Sequence, residues 1–507
     1  MAKQARAADD GSAGDALGLL RLSANAIAGE RPVFRGVLRL LEERITSGAL
    51  EPGARLPAER TLAGALDVSR ATVVRAYREL ESRGLARGYV GRGTFVSAGP
   101  DGSGAPFAWR GKLSASALRS GDSVIRDLLR ASSDPRLIAG PGGCPATDGF
   151  PIDAFRASLD RVLGGAHREL WGLGPTEGLP PLREAIARRF GGRPESTLVL
   201  AGAQQGLDLI GRCLIEPGDT VVVDRPGYLG AIHTFRAAGA RLVGWDVVRH
   251  DLDELEDLIV RYRPKLIYTN PTFHNPTGWV MPMQVRQGLL RLAARFRVPV
   301  VEDDTYRELY LSSPPPPSLR SLDRQSLVIY VGTFSKMLAP GLRLGWMTAA
   351  EPIIEQLALI KQRADPHTQS LVQLVVADLL ETGKFEAHLT ELRAEHRRRR
   401  DALCSAFKRR RTSELVSWRV PDGGLYLWAR LHARIKSSVV LRDALADGVG
   451  MVNGEVFYVD RAGEGEFRLC FSSIPTSQAN AVAERVTRHI RAARADVASP
   501  SPLVAVG

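Results

Sequence analysis

The sequence predicts an α/β protein that begins with a small, mainly helical unit. Three observations support this. Residues 30–97 form a compact, arginine-rich stretch, the next residues are rich in Gly, Pro and Ser, and from residue 138 onward apolar runs alternate with helical segments. Such alternation is typical of a mostly parallel sheet covered by helices.

The whole chain limits the classes of function. Its 507 residues exceed the ~150 of a usual domain, so about three folding units are expected. It has no long uncharged apolar run and no apolar signal segment at its N-terminus, which predicts a cytoplasmic protein without a membrane partner. The four cysteines are scattered without metal-ligand spacing, so we expect neither zinc nor any other metal, and no disulfide framework. The formal charge of +12 fits a nucleic-acid partner, although net charge alone is weak evidence.

The composition also predicts domain boundaries. We expect a flexible tail over residues 1–29, a helical unit over 30–97, a linker over 98–137, the main body over 138–495 and a second flexible tail over 496–507. One short helix near residues 123–131 is predicted within the linker.

The N-terminal unit is predicted to contain two helices joined by a tight turn. Pro57 can open a helix that runs to Leu66, and Ser69 can cap a second helix after the turn. On the second helix the apolar side chains of Val73, Tyr77 and Leu80 share one face, so its arginines point outward. The residues Gly91-Arg92-Gly93, between two short strands, predict a hairpin.

This unit resembles the winged helix-turn-helix of GntR-type regulators in its ordered motifs LPAER, SRATV and a Gly-rich wing. The resemblance implies that the DNA-facing residues are Arg60, Ser69, Arg70, Thr72, Arg75, Gly91 and Arg92. Arginines there would neutralise phosphates, and one or two could read guanine edges. Residues 31–97 contain 12 Arg and 7 Asp or Glu, a net charge of 12 − 7 = +5. The alternative is that these are ordinary solvated arginines.

In the main body, candidate binding residues follow predicted strands, where ligands of parallel sheets bind. The stretch LAGAQQGLDL (200–209) opens a helix whose first amides, at Ala203 and Gln204, suit a phosphate. In DRPGYLG (224–230), Tyr228 could stack on a planar ring. Each feature alone has a simpler structural explanation.

Two further loops carry polar groups suited to a pyridine ring. Asn275 lies in the Pro-flanked turn NPTFHNPTG and could donate to a phenolate oxygen. The apolar strand VVEDDTYREL ends at Asp303, three residues before Tyr306. A carboxylate at the buried end of a strand needs a cationic partner, and a protonated pyridine nitrogen is such a partner.

The stretch GTFSKMLAPGLRLGW (332–346) places Lys336 among small hydroxyl residues and ahead of Arg343. A buried ammonium is costly unless it has a covalent or ionic partner. An imine with an aldehyde would remove that cost, and Thr333, Ser335 and Arg343 would then surround a phosphate.

These motifs, in this order, resemble the class I aminotransferases of the PLP-dependent transferase fold type I, with a large and a smaller α/β domain. The resemblance implies pyridoxal 5'-phosphate as cofactor and assigns Lys336 to the Schiff base, Asp303 to the ring nitrogen, Asn275 and Tyr306 to the ring hydroxyl, Tyr228 to stacking, and Thr333, Ser335, Arg343 and the 203–204 turn to the phosphate. It also assigns Arg468, in EFRLCFSS, to a substrate or effector carboxylate. One departure is Leu173, where relatives usually have a Tyr that reaches the neighbouring subunit's phosphate.

A GntR-like unit joined to an aminotransferase-like body resembles the MocR-type regulators. The resemblance implies a homodimeric, DNA-binding transcriptional regulator whose body binds an amino acid or amine effector through an external aldimine. The alternative is a working aminotransferase that acts on an amino acid with a keto acid acceptor. The runs RRRR (397–400) and KRRR (408–411) are expected to lie on a solvated helix face, with a second DNA patch as the less favoured interpretation.

Overall fold

The structure is a computed structural model that describes residues 32–89, 93–97, 112–114, 116–117, 124–132, 134–165, 168–432, 435–460 and 462–498. The described residues fall into two compact units, before and after residue 118. None of the helices in these ranges combines the length and apolar character needed to cross a bilayer.

The first unit consists of three helices and a hairpin. The elements are α1 (Val33–Thr46), α2 (Glu59–Leu66), α3 (Arg70–Ser82), β1 (Ala86–Tyr89) and β2 (Gly93–Val96). The predicted cap of α3 is present, because the side chain of Ser69 accepts a hydrogen bond from the Thr72 amide at 3.2 Å. Val73, Tyr77 and Leu80 are buried in the core of this unit, as the sequence pattern predicted.

The hairpin is antiparallel and pairs Ala86 with Val96 and Tyr89 with Gly93. Its tip, with the predicted wing residues Gly91 and Arg92, lies outside the described residues. The predicted tail 1–29, residues 499–507 of the second predicted tail and most of the predicted linker lie outside them as well, whereas residues 496–498 of the second tail belong to a helix that ends at Ala498. The linker helix is observed as α4 (Val124–Ser132), which belongs to the second unit.

The second unit contains a seven-stranded sheet. Its strands are β3 (Thr197–Leu200), β4 (Thr220–Arg225), β5 (Arg241–Asp246), β6 (Leu266–Thr269), β7 (Val300–Asp303), β8 (Val328–Thr333) and β9 (Gly345–Thr348), in the order β3-β9-β8-β7-β6-β4-β5. The parallel core from β8 to β5 agrees with the predicted α/β class. Strand β9 was not predicted. It lies antiparallel between β3 and β8.

Helices connect and cover these strands. They are α5 (Ile152–Gly164), α6 (Pro180–Phe190), α7 (Ala203–Leu214), α8 (Leu229–Ala237), α9 (Leu252–Tyr262), α10 (Met283–Phe296), α11 (Leu319–Leu322), α12 (Glu351–Gln362) and α13 (Ser370–Glu381). Two apolar clusters, one around Leu207 and Val331 and one around Ile259 and Val300, pack against the sheet. The sheet is therefore buried, so its strands read as continuous apolar runs.

The C-terminal part forms a smaller antiparallel sheet with long helices. Its elements are α14 (Lys384–Arg409), β10 (Val416–Trp418), β11 (Tyr426–Leu431), α15 (Ser437–Ala446), β12 (Val452–Asn453), β13 (Glu466–Cys470) and α16 (Ala479–Ala498), with strand order β10-β11-β13-β12. Strand β13 carries Arg468.

The prediction that the run 397–400 is solvated was wrong for two of its four arginines. Arg399 and Arg400 on α14 are only 4% and 8% exposed. Arg399 donates to the carbonyl oxygen of Ser472 at 2.8 Å, and Arg400 donates to that of Pro421 at 2.9 Å. These guanidinium groups satisfy buried carbonyl groups, so half of the run stabilises the C-terminal part and does not form a surface patch.

Candidate functional site

The loops that follow the parallel strands meet around a cavity of about 570 Å³. All eleven candidate residues from the main body line it: Ala203, Gln204, Tyr228, Asn275, Asp303, Tyr306, Thr333, Ser335, Lys336, Arg343 and Arg468. The parallel strands end at the same edge of the sheet, and this brings together residues that are far apart in the sequence.

Lys336 lies just beyond the end of β8, at one side of the cavity. Its Nζ donates to the carbonyl oxygen of Gly143 at 3.0 Å. Cys144, the next residue, also lines the cavity, and burial raises the pKa of its thiol although the nearby Lys336 charge opposes this. Sequence reasoning missed Gly143 and Cys144, because a lone thiol without a local motif cannot be placed in a site.

Asp303 ends β7 and is 3% exposed. Its Oδ2 accepts a hydrogen bond from the Tyr268 hydroxyl at 2.7 Å, whereas its buried Oδ1 has no hydrogen-bond partner within the described residues. Burial raises the pKa of the Asp303 carboxyl to about 6. A buried acceptor of this kind is suited to a charged N–H donor, which would hold the carboxylate in its ionised form.

Another part of the cavity wall is suited to an anion. Helix α7 begins after Gly202, whose φ of +96° is strained for residues with a side chain, and a Cβ at Gly202 would lie 2.9 Å from Nη2 of Arg343. Arg343 reaches this turn and donates to the carbonyl oxygen of Ala201 at 3.0 Å. The buried Oγ of Ser335 has no partner within the described residues. A guanidinium, a free hydroxyl and a helix N-terminus therefore converge.

Two of the residues assigned to the phosphate use their side chains for other contacts. The Thr333 hydroxyl donates to the carbonyl oxygen of Leu344 at 3.2 Å and accepts from the Ser335 amide at 3.1 Å. The Gln204 amide group donates to the Thr234 hydroxyl at 2.6 Å and accepts from the Tyr228 hydroxyl at 3.2 Å. Thr333 shapes the turn before Lys336, and Gln204 fixes the ring of Tyr228 at the cavity wall.

A chain of polar side chains crosses the middle of the cavity. Asn275 donates to the Tyr306 hydroxyl at 3.3 Å, and this hydroxyl lies 3.0 Å from that of Tyr426. The backbone N–H of Asn275 donates to the side-chain oxygen of Asn270 at 2.7 Å. Tyr426, Tyr268 and Asn270 were not predicted: the two tyrosines resemble ordinary core positions of apolar strands, and Asn270 resembles an ordinary turn residue directly after β6.

Arg468 lies on β13 and is 6% exposed. Its guanidinium donates to the side-chain oxygen of Asn275 at 2.7 Å and to the carbonyl oxygen of Pro141 at 2.6 Å, and it lies 4.3 Å from the centre of the Tyr426 ring. Its Nε is buried and has no partner within the described residues. A buried, incompletely satisfied guanidinium is suited to a carboxylate.

These features fit pyridoxal phosphate that carries an amino acid. The unpartnered Oδ1 of Asp303 matches a pyridinium N–H, the unpartnered Oγ of Ser335 beside Arg343 matches a phosphate, and the unpartnered Nε of Arg468 matches an α-carboxylate. Lys336 provides the amine between them.

In the first unit, three of the predicted DNA-facing residues, Ser69, Arg70 and Thr72, lie at the start of α3, whereas Arg60 lies on α2 and Arg75 farther along α3. Arg70 forms a forked interaction with Glu59, from Nε at 2.9 Å and from Nη2 at 2.8 Å, and its side chain is 58% exposed. The guanidinium of Arg75 lies 3.9 Å from the centre of the Phe34 ring. Arg60 and Ser69 are exposed, and Thr72 is half-buried.

Comparison with known proteins supports both units. Residues 145–486 match the family model described as aminotransferase class I and II, and residues 35–96 match bacterial regulatory proteins of the gntR family. The chain is 32% identical over 427 residues to the probable rhizopine catabolism regulatory protein MocR of Rhizobium meliloti, covering 82% of this chain and 85% of that protein. The chain belongs to the MocR-type regulators.

Other relatives share one or both units of this MocR-type chain. The HTH-type transcriptional regulator YdfD of Bacillus subtilis, itself uncharacterized, is 30% identical over 88% of this chain and 94% of its own length. The crystal structure of LysN, an alpha-aminoadipate aminotransferase from Thermus thermophilus complexed with N-(5'-phosphopyridoxyl)-L-leucine, is 34% identical, with a TM-score of 0.72 over 76% of this chain and 99% of that chain. The second unit therefore has the aminotransferase fold.

Leu173, which stands where relatives usually have a Tyr, is exposed in this MocR-type chain. Leu173 and its neighbour Trp171 are 83% and 84% exposed. Leu173 is not among the described residues that line the cavity. Within one chain, the phosphate end therefore depends on Ser335, Arg343 and the start of α7.

Proposed function

We propose that this protein is a transcriptional regulator that binds DNA through its first unit and binds an amino acid or amine at a pyridoxal phosphate site in its second unit. The observation that carries this proposal is the convergence of Lys336, Asp303, Arg343 and Arg468 on one cavity in a chain that also has a GntR-type unit. When bound, pyridoxal phosphate supplies an aldehyde that can exchange one primary amine for another.

Different residues of the cavity would bind different parts of the cofactor. Asp303 would keep the ring nitrogen protonated, Asn275 and Tyr306 would orient the ring oxygen, and Tyr228 would stack on the ring. Arg343, Ser335 and the first turn of α7 would hold the phosphate, and Thr333 would shape the turn before Lys336. Lys336 would provide the primary amine that holds the aldehyde, and an effector amine would compete with it.

Effector binding would change the contacts of a single loop. Lys336 donates to Gly143 and Arg468 donates to Pro141, so both cations are held by residues 141–143. A ligand amine that takes the place of Lys336 on the aldehyde would leave the Lys336 amine able to donate to Gly143, and a ligand carboxylate that binds Arg468 would compete with the bond from Arg468 to Pro141. Residues 141–143 would then rearrange, and this gives the protein two states whose balance the ligand can shift.

We further propose that the protein acts as a homodimer. The exposed side chains of Trp171 and Leu173 would be covered by a second copy, and two DNA-binding units would then contact paired half-sites. Sedimentation of the protein loaded with cofactor measures this directly.

The DNA-binding part is tested with a DNA fragment from upstream of the protein's own gene. Replacing Arg70 with Ala should weaken binding by roughly ten- to a hundredfold, because an exposed, oriented arginine at the start of the recognition helix is lost. Fluorescence anisotropy over a series of salt concentrations measures the effect. A matched control is Arg83→Ala, which removes the same charge at the end of α3, where Arg83 pairs with Glu42 and Glu79. Equal losses for the two variants would contradict the assignment.

A working aminotransferase is the second candidate, because the cavity contains the amine, the acid and the carboxylate-binding arginine that amino-group transfer needs. In that case Lys336 would also move a proton to and from the ligand's α-carbon. Rapid conversion of an added amino acid and keto acid, together with no DNA binding at low salt, would favour the enzyme over the regulator.

A further inference from the structure

We propose that helix α4 forms the side-chain wall of the effector site and selects an amino acid with an uncharged, aliphatic side chain. This proposal rests on the proposed function and specifies its ligand class. The observations that carry it are the position of α4 on the cavity, the distribution of charge around the cavity, and the loop that joins α4 to Lys336 and Arg468.

Helix α4 is amphipathic and is held by its apolar face. Val124, Ile125 and Leu128 pack against a cluster that contains Leu229 and Phe457. The charged residues of this helix, Arg126, Asp127 and Arg130, are exposed. The helix therefore rests on the second unit through a single apolar face.

The same face continues into the cavity. Ile125, Leu128 and Leu129 line it together with Lys336 and Arg468. Leu129 is 62% exposed, although its side chain is large and apolar. An aliphatic ligand side chain that extends from Lys336 toward α4 would cover this surface and gain the free energy of apolar burial.

The charges around the cavity argue against a charged ligand side chain. The charged groups among the described lining residues are Lys336, Arg343, Arg468 and Asp303. Each has a proposed partner in the cofactor or in the ligand's amine and carboxylate. The two cations on α4, Arg126 and Arg130, are exposed and are not among the described lining residues. A second carboxylate or ammonium beside Leu128 and Leu129 would therefore find no ionic partner among the described lining residues and would lose the apolar burial that favours an aliphatic group.

The end of α4 contacts the loop that holds the two cations. A Cβ added at Gly142 would lie 2.2 Å from the Oγ of Ser132, the last residue of α4. The neighbouring carbonyl groups of Pro141 and Gly143 accept from Arg468 and Lys336. In the sequence, α4 lies between the DNA-binding unit and the rest of the second unit. A ligand that packs on α4 would thus stabilise the helix through which the two units are connected in sequence.

The experiment is an absorbance titration of the full chain loaded with pyridoxal phosphate. The probes are glycine, L-alanine, L-norvaline, L-glutamate and L-lysine. Each added methylene should tighten binding roughly fourfold from glycine to norvaline, because it buries more apolar surface against α4. Glutamate and lysine should bind more weakly than norvaline.

Two variants locate the effect on α4. Leu129→Ala should weaken norvaline roughly fivefold or more and leave glycine within about twofold, because only the longer side chain reaches this position. Arg130→Ala, on the exposed face of the same helix, should change neither affinity. Since Leu129 and Arg130 are both exposed, neither change is expected to disturb folding.

A third measurement follows the helix itself. Trypsin cleavage after Arg126 and Arg130, followed by mass spectrometry, should be slower with saturating norvaline than with saturating glycine.

Three results would overturn the proposal: tightest binding of glutamate or lysine, an equal effect of Leu129→Ala on glycine and norvaline, or equal cleavage with the two ligands. In each of these the spectrum would still respond to amines, so the proposed function would stand. A spectrum that responds to no amine, glycine included, would overturn both.

Discussion

Replacing Lys336 with Ala is expected to abolish covalent attachment of pyridoxal phosphate and the absorbance change that amines produce. Lys336 is the only lysine among the described residues that line the cavity. The fold should persist, since the half-buried side chain makes one hydrogen bond, to Gly143, worth about 1 kcal/mol. Borohydride reduction followed by mass spectrometry measures attachment directly.

The matched control for this prediction is Lys384→Ala, which removes an exposed lysine at the start of α14. It should leave labelling unchanged. Stoichiometric labelling of the Lys336→Ala protein at any other residue would contradict the assignment of Lys336.

Replacing Asp303 with Asn should weaken binding of pyridoxal phosphate by roughly a hundredfold or more, because loss of a buried charged partner costs about 3 kcal/mol or more. The substitution keeps the size of the side chain and an oxygen that can accept from Tyr268. Fluorescence or absorbance titration of the cofactor into the cofactor-free protein measures the loss. A tenfold change in affinity corresponds to about 1.4 kcal/mol. An affinity within threefold of that of the unaltered protein would therefore be incompatible with the proposed ion pair.

In the cofactor-free protein, the same substitution should remove a loss of stability that the buried Asp303 carboxyl causes as pH rises. Burial raises the pKa of Asp303 from 3.8 to about 6, so the folded state binds this proton more tightly than the unfolded state. The contribution of Asp303 to the free energy of unfolding therefore falls as pH rises from about 4 to about 6, by about 3 kcal/mol in all. Urea unfolding of the cofactor-free proteins should show that the free energy of unfolding falls less over this pH range in the Asp303→Asn protein than in the unaltered protein.

Much of the architecture could be predicted because the signals were local. The strands of the parallel sheet are buried on both faces and read as apolar runs, and the cap at Ser69 and the turn before it follow from side-chain chemistry alone. Strand β9 was missed because its direction is set by pairing with β3 and β8, which lie far from one another in the sequence.

The candidate site was predictable where a residue belonged to a motif and not where tertiary packing placed it. Lys336 and Asp303 stand in recognisable stretches after strands. Tyr426 and Cys144, by contrast, reach the cavity only because the smaller sheet and the 141–144 loop fold against it. The buried Arg399 shows the same limit, since an arginine run in the sequence does not reveal which members satisfy buried carbonyl groups.

The location of α4 beside the cavity also could not be predicted from the sequence. The pattern of Ile125, Leu128 and Leu129 predicts an apolar helix face but not what covers it. Its position beside Lys336 depends on contacts with Leu229 and Phe457, more than a hundred residues away.

The link between ligand and DNA is measured by the affinity for the upstream DNA fragment at increasing concentrations of norvaline, in the protein loaded with pyridoxal phosphate and in the Lys336→Ala protein. We expect the ligand to change the DNA affinity of the loaded protein by roughly fivefold or more, a coupling of about 1 kcal/mol, and to leave that of the Lys336→Ala protein unchanged. A DNA affinity that does not respond to any amine in the loaded protein, or that responds equally without Lys336, would contradict the account.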